Sequence, residues 1–493
     1  MDKDNSAAED NSKRNLRDVN DLVVNNSLTN KFVGPSLLLF LDSLFVSIGG
    51  WLYWIMISRL TFTSQIGIAT TIYSLVILAA TIAQLGIEYP LLKKSNTDRS
   101  QILGTALFIE IAISIAALPV VILIINNLYG GSLQQFSWIA SVLLVLSAIG
   151  YVTHFIFLGI YDVKKVIIID VTGLIIKFVV GYTLLSLHFG AFGMLLAFLA
   201  ESLFLACTYL LTIKKRFAFK LGKIAYFKEI LKDSLVNSPS KLSKIFIINL
   251  SIVLLGSIGV NSSDVGVFYV ALMISIVVGA FASSMAFMVI PASSGGSMKD
   301  LSSDSLRISL SVVTPVIVAL LVAPKLILSP IGLQFERGAE LLIVLAVGIL
   351  PSSITINVIS RLNNLGQSKK IVFIGIVQMS TFILSFFLLA EHFETLGAAY
   401  SILLAFTASA IISVIWSGRE MLRHTAFCCL SIIIGTIIGY VINLTTANYY
   451  NYIHNIFLGL ICSVSISIIV IFMSKNLSVS EIRRLVSETL QRN

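Results

Sequence analysis

From residue 33 to residue 473 the chain keeps returning to uninterrupted apolar runs, parted by polar breaks as short as "ISRLTFTSQIGI" (57–68). A run of about 18 or more apolar residues crosses the roughly 30 Å hydrocarbon layer of a bilayer as a helix. Within lipid the backbone must satisfy its own hydrogen bonds, so only helices and closed barrels span it. Barrel strands would be half as long and would alternate in polarity. These runs do neither. The sequence therefore predicts an all-α polytopic membrane protein with about fourteen transmembrane helices. Only 12% of the 493 residues are charged and 57% are hydrophobic, whereas soluble domains carry about 25% charge. Too few polar faces remain to cover a soluble core.

Loop charge gives an independent reading of topology, because loops on the cytosolic side carry the Lys and Arg excess. With the N-terminus inside, 28 of the 34 Lys and Arg residues fall on the cytosolic side. Arg59, Lys325 and Arg337 fall outside, and Lys177, Lys241 and Lys244 lie within spans. That asymmetry predicts an even span count, both termini in the cytosol, and a multi-pass protein of the cytoplasmic membrane. It also accounts for the net charge of +9: the cations are loop anchors facing anionic lipid, not a nucleic-acid surface. Arg59, an exception, reads as an interfacial anchor.

The polar, mixed-charge segment 1–32 reads as a disordered cytosolic tail without the apolar run of a signal peptide. Spans 1–6 occupy 33–212 as an N-lobe. An amphipathic cytosolic linker covers 213–235. Spans 7–12 occupy 236–417 as a C-lobe, spans 13 and 14 lie within 424–474, and 475–493 is a second cytosolic tail.

The two lobes echo one another. "SRLTFTSQIGIATTIYSLVILAA" (58–80) resembles "GSIGVNSSDVGVFYVALMISIVVGA" (256–280), with Gly67 opposite Gly266. "YDVKKVIIID…SLHFGAFG" (161–193) resembles "GQSKKIVFIG…AEHFETLG" (366–397), with His188–Phe189 opposite His392–Phe393 and Gly193 opposite Gly397. The offset of about 200 residues contains an even number of spans, so the copies are two parallel six-helix repeats, a transporter arrangement. Spans 13 and 14 stand outside the repeat.

The pattern "WLYWIMISRL" followed by "QIGIATTIYSLVILAATIAQLGIEYPLLKK", with Ser58, Arg59, Leu60, Ile66, Gly67, Leu85 and Gly86, resembles the start of the polysaccharide-export flippases. "DVGVFYVALMI" (264–274) and "GQSKK" (366–370) are similar to that family's later elements. These flippases belong to the multidrug/oligosaccharidyl-lipid/polysaccharide exporter superfamily. The resemblance implies a V-shaped core of two six-helix lobes plus two C-terminal helices. It also implies outward flipping of a polyprenyl- or dolichyl-phosphate-linked saccharide by alternating access, for surface polysaccharide or glycoprotein synthesis. The expected partners are a lipid-linked oligosaccharide and membrane lipids, with no nucleic acid, and the protein is expected to act as a monomer. The alternatives are an ion-coupled multidrug or metabolite exporter of the same superfamily, and a membrane-embedded glycosyltransferase or ligase.

Ionisable groups at membrane depth are functional candidates by default. Asp42, Glu110, Asp170 and Glu201 all fall in the first lobe and are candidates for proton or sodium coupling, or structural acids paired with neighbouring helices. Lys177, Lys241, Lys244 and Arg361 are candidates for binding a substrate phosphate, because Lys and Arg form charge-assisted bonds with it. Lys241 and Lys244 share a helix face and could equally snorkel to headgroups. Lys177 sits too deep for that, and Asp170, two turns away on its helix, is a partner to consider. Pro351, followed by hydroxyls in "GILPSSITIN", marks a hinge or a static kink. No Gly-rich phosphate loop, HExxH or CxxC occurs, and no cofactor or metal is expected. Cys207, Cys428, Cys429 and Cys462 read as buried thiols acting as small hydrophobes. The sequence thus reads as a transporter rather than an enzyme.

Overall fold

The computed structural model describes residues 45–473 apart from 47, 85, 88–90, 92–98, 160–161, 216–219, 223, 293–297, 418 and 447–451. Among the described residues all regular structure is helical. In chain order the long helices are α1 (48–60), α2 (Thr63–Gln84), α3 (Arg99–Asn127), α4 (Ser137–Gly159), α5 (Val163–Ser186) and α6 (Gly190–Lys214). The second half holds α7 (Ile224–Ser257), α8 (Ser262–Ala292), α9 (Met298–Val322), α10 (Ala339–Asn364), α11 (Ser368–Ser417), α12 (Arg419–Thr446) and α13 (Tyr452–Met473).

Ten helices among the described residues are long and apolar enough to cross a membrane, and Ile245–Ser257 and Ile456–Phe472 are shorter apolar helices. The fold is thus an all-α, multi-span membrane fold. One of the ten, α11, runs for 50 residues but breaks at Glu394, where φ is 48° and ψ is −120°. A non-glycine residue pays for that left-handed conformation, and it turns one long apolar stretch into a helical hairpin. At the corresponding turn between α5 and α6, His188 at φ 64° and Gly190 at φ 55° share the bend. The helix interiors are rich in Ser and Thr because a hydroxyl can bond the carbonyl one turn back and so hide its polarity from lipid. Thr153 to Ile149, Thr172 to Ile168, Ser401 to Gly397 and Ser413 to Ser409 do this at 2.6–2.8 Å.

Burial separates central helices from peripheral ones. In α2 78% of the spanning window is buried, against 22% in α5 and in α12. The apolar side chains on the peripheral helices that remain exposed, such as Ile168, Leu388, Ile415 and Leu444, form the lipid-facing belt. With lipid as solvent, an apolar exterior costs nothing.

The cores reveal how the halves join. One core is continuous across both, taking Tyr53–Ala80, Val121–Leu144 and Leu185–Phe198 from the first half and most of α7 to α11 from the second. The other end of the first half has a core of its own, built from Ile87, Leu103, Ala106, Val152, Phe157, Val166, Tyr209 and Ile213 with Ile230 of α7. The halves are therefore packed together at the end bearing the 57–63 and 258–262 turns. At the end bearing the basic turns, the first half packs within itself. There the link to α7 is pinned by backbone: Lys220 N–H donates to the Ser100 carbonyl at 3.2 Å, and Gly222 N–H to Thr105 Oγ1 at 2.9 Å.

Candidate functional site at the junction of the two halves

The α5–α6 pair carries two ionic clusters. Near the middle of α5, the Lys177 ammonium lies 2.9 Å from Glu201 Oε1 on the facing helix α6. The side chains are only 12% and 17% exposed, so this is a pair held at depth. Lys177 Nζ also stands 5.3 Å from the centre of the Tyr53 ring and 5.8 Å from that of Phe198, within range of a cation–π attraction. Small residues bracket this point. A Cβ on Gly173 would press on Leu205 of α6, and one on Gly181 would collide with the Tyr53 ring. Their absence lets α6 and α1 close in around Lys177.

The aromatic cluster extends to the second half. Tyr53 packs edge-on against Trp54, Phe178 and Phe198, Tyr73 of α2 stacks on Phe198 with centroids 4.1 Å apart, and Trp54 meets Tyr269 of α8 at 4.7 Å. Two rings, Tyr53 or Phe198 and then Trp54, thus separate the cation from Tyr269 of the second half.

Two turns nearer the basic end, Asp170 accepts a 2.7 Å hydrogen bond from the Tyr209 hydroxyl, and its other oxygen lies 3.5 Å from His154 Nδ1. His154 Nδ1 is also 3.2 Å from the Tyr209 hydroxyl. The expected Lys177–Asp170 pairing is therefore not formed. Two helical turns separate the residues by about 10 Å along the axis, too far for contact, and a facing helix supplies each with a nearer partner. Carboxylate, phenol and imidazole together form a centre able to hold a proton. His154 and Tyr209 were missed from the sequence. The signal present was a lone histidine in the middle of an apolar span, "GYVTHFIF".

The remaining candidates do not converge on this site. Glu110 lies on α3 and is fully buried beside the core at the basic end. Arg361, in the last turn of α10, donates from Nη1 to the Ser417 carbonyl at 3.0 Å and ties the ends of α10 and α11 together. Lys241 and Lys244 belong to helix α7, but their side chains lie outside the described residues, and so does Asp42. Among the described residues no group of three or more His, Cys, Asp or Glu could hold a metal ion. All four cysteines are free. Cys428 is buried as expected, Cys429 and Cys462 are half-buried, and Cys207 is exposed, a correction that follows from its place on the outer face of α6.

At the joined end the halves are latched. Gly67 and Gly266 sit where α2 and α8 cross. A Cβ on Gly67 would run into the Ser262 carbonyl oxygen, and one on Gly266 into that of Thr63. The Thr63 and Ser263 hydroxyls are 2.5 Å apart. Arg59 does not simply anchor the turn in headgroups: its guanidinium donates to the Pro330 carbonyl at 2.7 and 3.1 Å. Ser58 Oγ donates to the Ile331 carbonyl at 2.8 Å, and Gln334 returns a bond to the Ser58 carbonyl at 3.2 Å. Arg337 lies 3.1 Å from Asp264 and donates to Ser263 Oγ at 2.6 Å. Of the three basic residues that the charge count leaves outside, Arg59 thus crosses between the halves and Arg337 braces Ser263 from within the second half. Because the Arg59 bonds are exposed, Arg59→Ala should weaken the latch by only about 1 kcal/mol. The check is a modest fall in disulfide formation between cysteines placed at 63 and 263, with the native cysteines removed.

The second half has an uncharged polar interior instead. Asn357 on α10 accepts from Ser305 Oγ at 3.2 Å and donates to Ser309 Oγ and the Ser353 carbonyl at 3.2 and 2.9 Å, all buried. Thr355 and Ser409 share a bond at 3.2 Å. After Pro351, Ser353 and Thr355 donate to the carbonyls of Ile349 and Pro351. Asn357→Leu would remove the bonds to Ser305, Ser309 and the Ser353 carbonyl. Losing these buried hydrogen bonds costs about 0.5–1.5 kcal/mol each, so thermal unfolding in detergent should shift downward.

The sequence profile of the family described as "Polysaccharide biosynthesis protein" matches residues 56–338, more than half of the chain. The chain belongs to this family. No curated protein matches it. Among solved structures, the lipid II flippase MurJ in its inward closed conformation superposes with a TM-score of 0.67 at 16% identity, over 91% of this chain and 99% of that one. An inward-facing multidrug resistance MATE family transporter of the MOP superfamily gives 0.56 at 16% identity, over 77% and 95%. The eukaryotic MATE transporter AtDTX14 gives 0.52 at 15% identity, over 84% and 100%. At these identities what is shared is the fold. This member of the polysaccharide biosynthesis family is a polytopic membrane protein that shares its fold with MurJ and MATE transporters.

Proposed function

We propose that the protein is an alternating-access transporter that flips a polyprenyl- or dolichyl-phosphate-linked saccharide outward across the cytoplasmic membrane. The observation that carries this reading is the Lys177 ammonium: near mid-span, partly accessible and linked through Tyr53 and Trp54 to Tyr269 of the second half, in a polysaccharide biosynthesis family. A headgroup that must cross lipid carries phosphate, and a fixed cation at depth offsets the desolvation of that charge. Lys241, Lys244 and Arg361 are further phosphate ligands in this proposal. Asp42, Glu110, Asp170 and Glu201 are the coupling acids, for proton or sodium.

The architecture proposed with it has fourteen spans. The α11 hairpin counts as two, and α1, α7 and α13 complete the set. Residues 33–212 and 236–417 form the lobes around the 213–235 linker, 424–474 forms the appended pair, and both termini are cytosolic. Repetition of the lobes is supported by two backbone coincidences: Gly190 and Glu394, 204 residues apart, bend their hairpins with the same sign of φ, and Gly67 and Gly266 cross each other at the latch. The joined end then faces outward, and the basic end opens to the cytosol.

Deletion of the gene tests the activity. The expected result is a lipid-linked saccharide retained on the cytosolic leaflet, with loss of the corresponding surface glycan. Unchanged glycans together with altered drug sensitivity would instead identify a multidrug exporter.

A further inference from the structure

We infer that Glu201 is a built-in stand-in for the substrate's phosphate: it occupies Lys177 while the site is empty and gives way when a lipid-linked phosphate arrives. This rests on the reading that Lys177 receives the phosphate. Four observations support the exchange. Lys177 has one carboxylate partner among the described residues, Glu201 at 2.9 Å. The other acid on its helix, Asp170, is taken up by Tyr209 and His154. The pair retains some access, at 12% and 17%. Beside it the Tyr53 hydroxyl is buried with no hydrogen-bond partner among the described residues, leaving a donor unused next to the cation.

An ammonium at depth cannot stand alone without a large desolvation penalty. A resident carboxylate removes that penalty in the empty state. It also sets a threshold: an entering molecule must bring an anion that binds Lys177 better than Glu201 does, and a neutral lipid brings none. A phosphate monoester or diphosphate meets that requirement through its higher charge and its several acceptor oxygens. Selection by charge would therefore be enforced by Glu201, not by Lys177 alone, because specificity is a difference of affinities and gains from a competing interaction.

The test uses the purified full chain in nanodiscs, with farnesyl diphosphate as probe and farnesol as its uncharged control. Removing the internal competitor in Glu201→Gln should tighten farnesyl diphosphate binding on the order of tenfold, with farnesol unchanged. Lys177→Gln should abolish the diphosphate preference, and the double variant should show no gain. Glu201→Asp, which keeps the charge but shortens the reach, should fall between wild type and Glu201→Gln, and it serves if Glu201→Gln does not fold. Equal or weaker diphosphate binding in the Glu201 variants, with Lys177→Gln still defective, would overturn the exchange but leave Lys177 as the phosphate ligand. Wild-type binding in Lys177→Gln would remove the phosphate reading itself.

Discussion

Replacing Lys177 by glutamine should cut the initial rate of lipid-linked saccharide flipping about ten- to a hundredfold, the worth of one charge-assisted bond that the neutral amide does not restore. The structure explains why so much rests on one residue. Among the described residues, its ammonium is the only Lys or Arg cation of the first half that lies away from a helix end, and Tyr53 and Trp54 link it to Tyr269 of the second half. Lys177→Arg should keep part of the rate, since the charge survives while the Glu201 geometry changes. The measurement is flipping by purified protein in liposomes, with folding verified by thermal unfolding. A rate within twofold of wild type for Lys177→Gln would remove Lys177 from the pathway.

The second large effect is expected at the latch. Gly67→Val places a branched side chain where α2 already touches the backbone of α8. Overpacking typically costs about 1–3 kcal/mol even where side chains can shift, and here the obstacle is a carbonyl. The joined arrangement of the halves should lose population by roughly tenfold or more. Disulfide formation between cysteines introduced at 63 and 263 should fall accordingly, because their hydroxyls now lie 2.5 Å apart. Gly266→Val should behave alike, since the crossing is reciprocal. Undiminished cross-linking in both variants would mean that the crossing does not hold the halves together.

Much of this was legible in the sequence, for physical reasons. Spans are read from apolar length because lipid allows the backbone no other solution. The resemblance of 58–80 to 256–280 picked out Gly67 and Gly266, and the two turn out to cross each other at the join between the halves. What the sequence did not yield was partnership. Lys177, Asp170 and Glu201 stood out as charges at depth, but who pairs with whom depends on the rotation of α5 against α6. The packing is set by small residues, Gly173 against α6 and Gly181 against Tyr53 of α1, whose meaning is invisible until the helices are packed. His154 was passed over because a lone imidazole in an apolar run gives no spacing signal. Arg59 read as a headgroup anchor because its acceptor, the Pro330 carbonyl 271 residues away, leaves no mark in local sequence.

The central claim is that this chain moves a phosphate-linked saccharide between leaflets. It is tested most directly with purified full-length protein in liposomes carrying a lipid-diphosphate-linked saccharide, followed by enzymatic access to the sugar in the outer leaflet. The account predicts that the protected fraction becomes accessible with wild-type protein and stays protected with Lys177→Gln. Equal access with wild type, with the variant and with empty liposomes would contradict it.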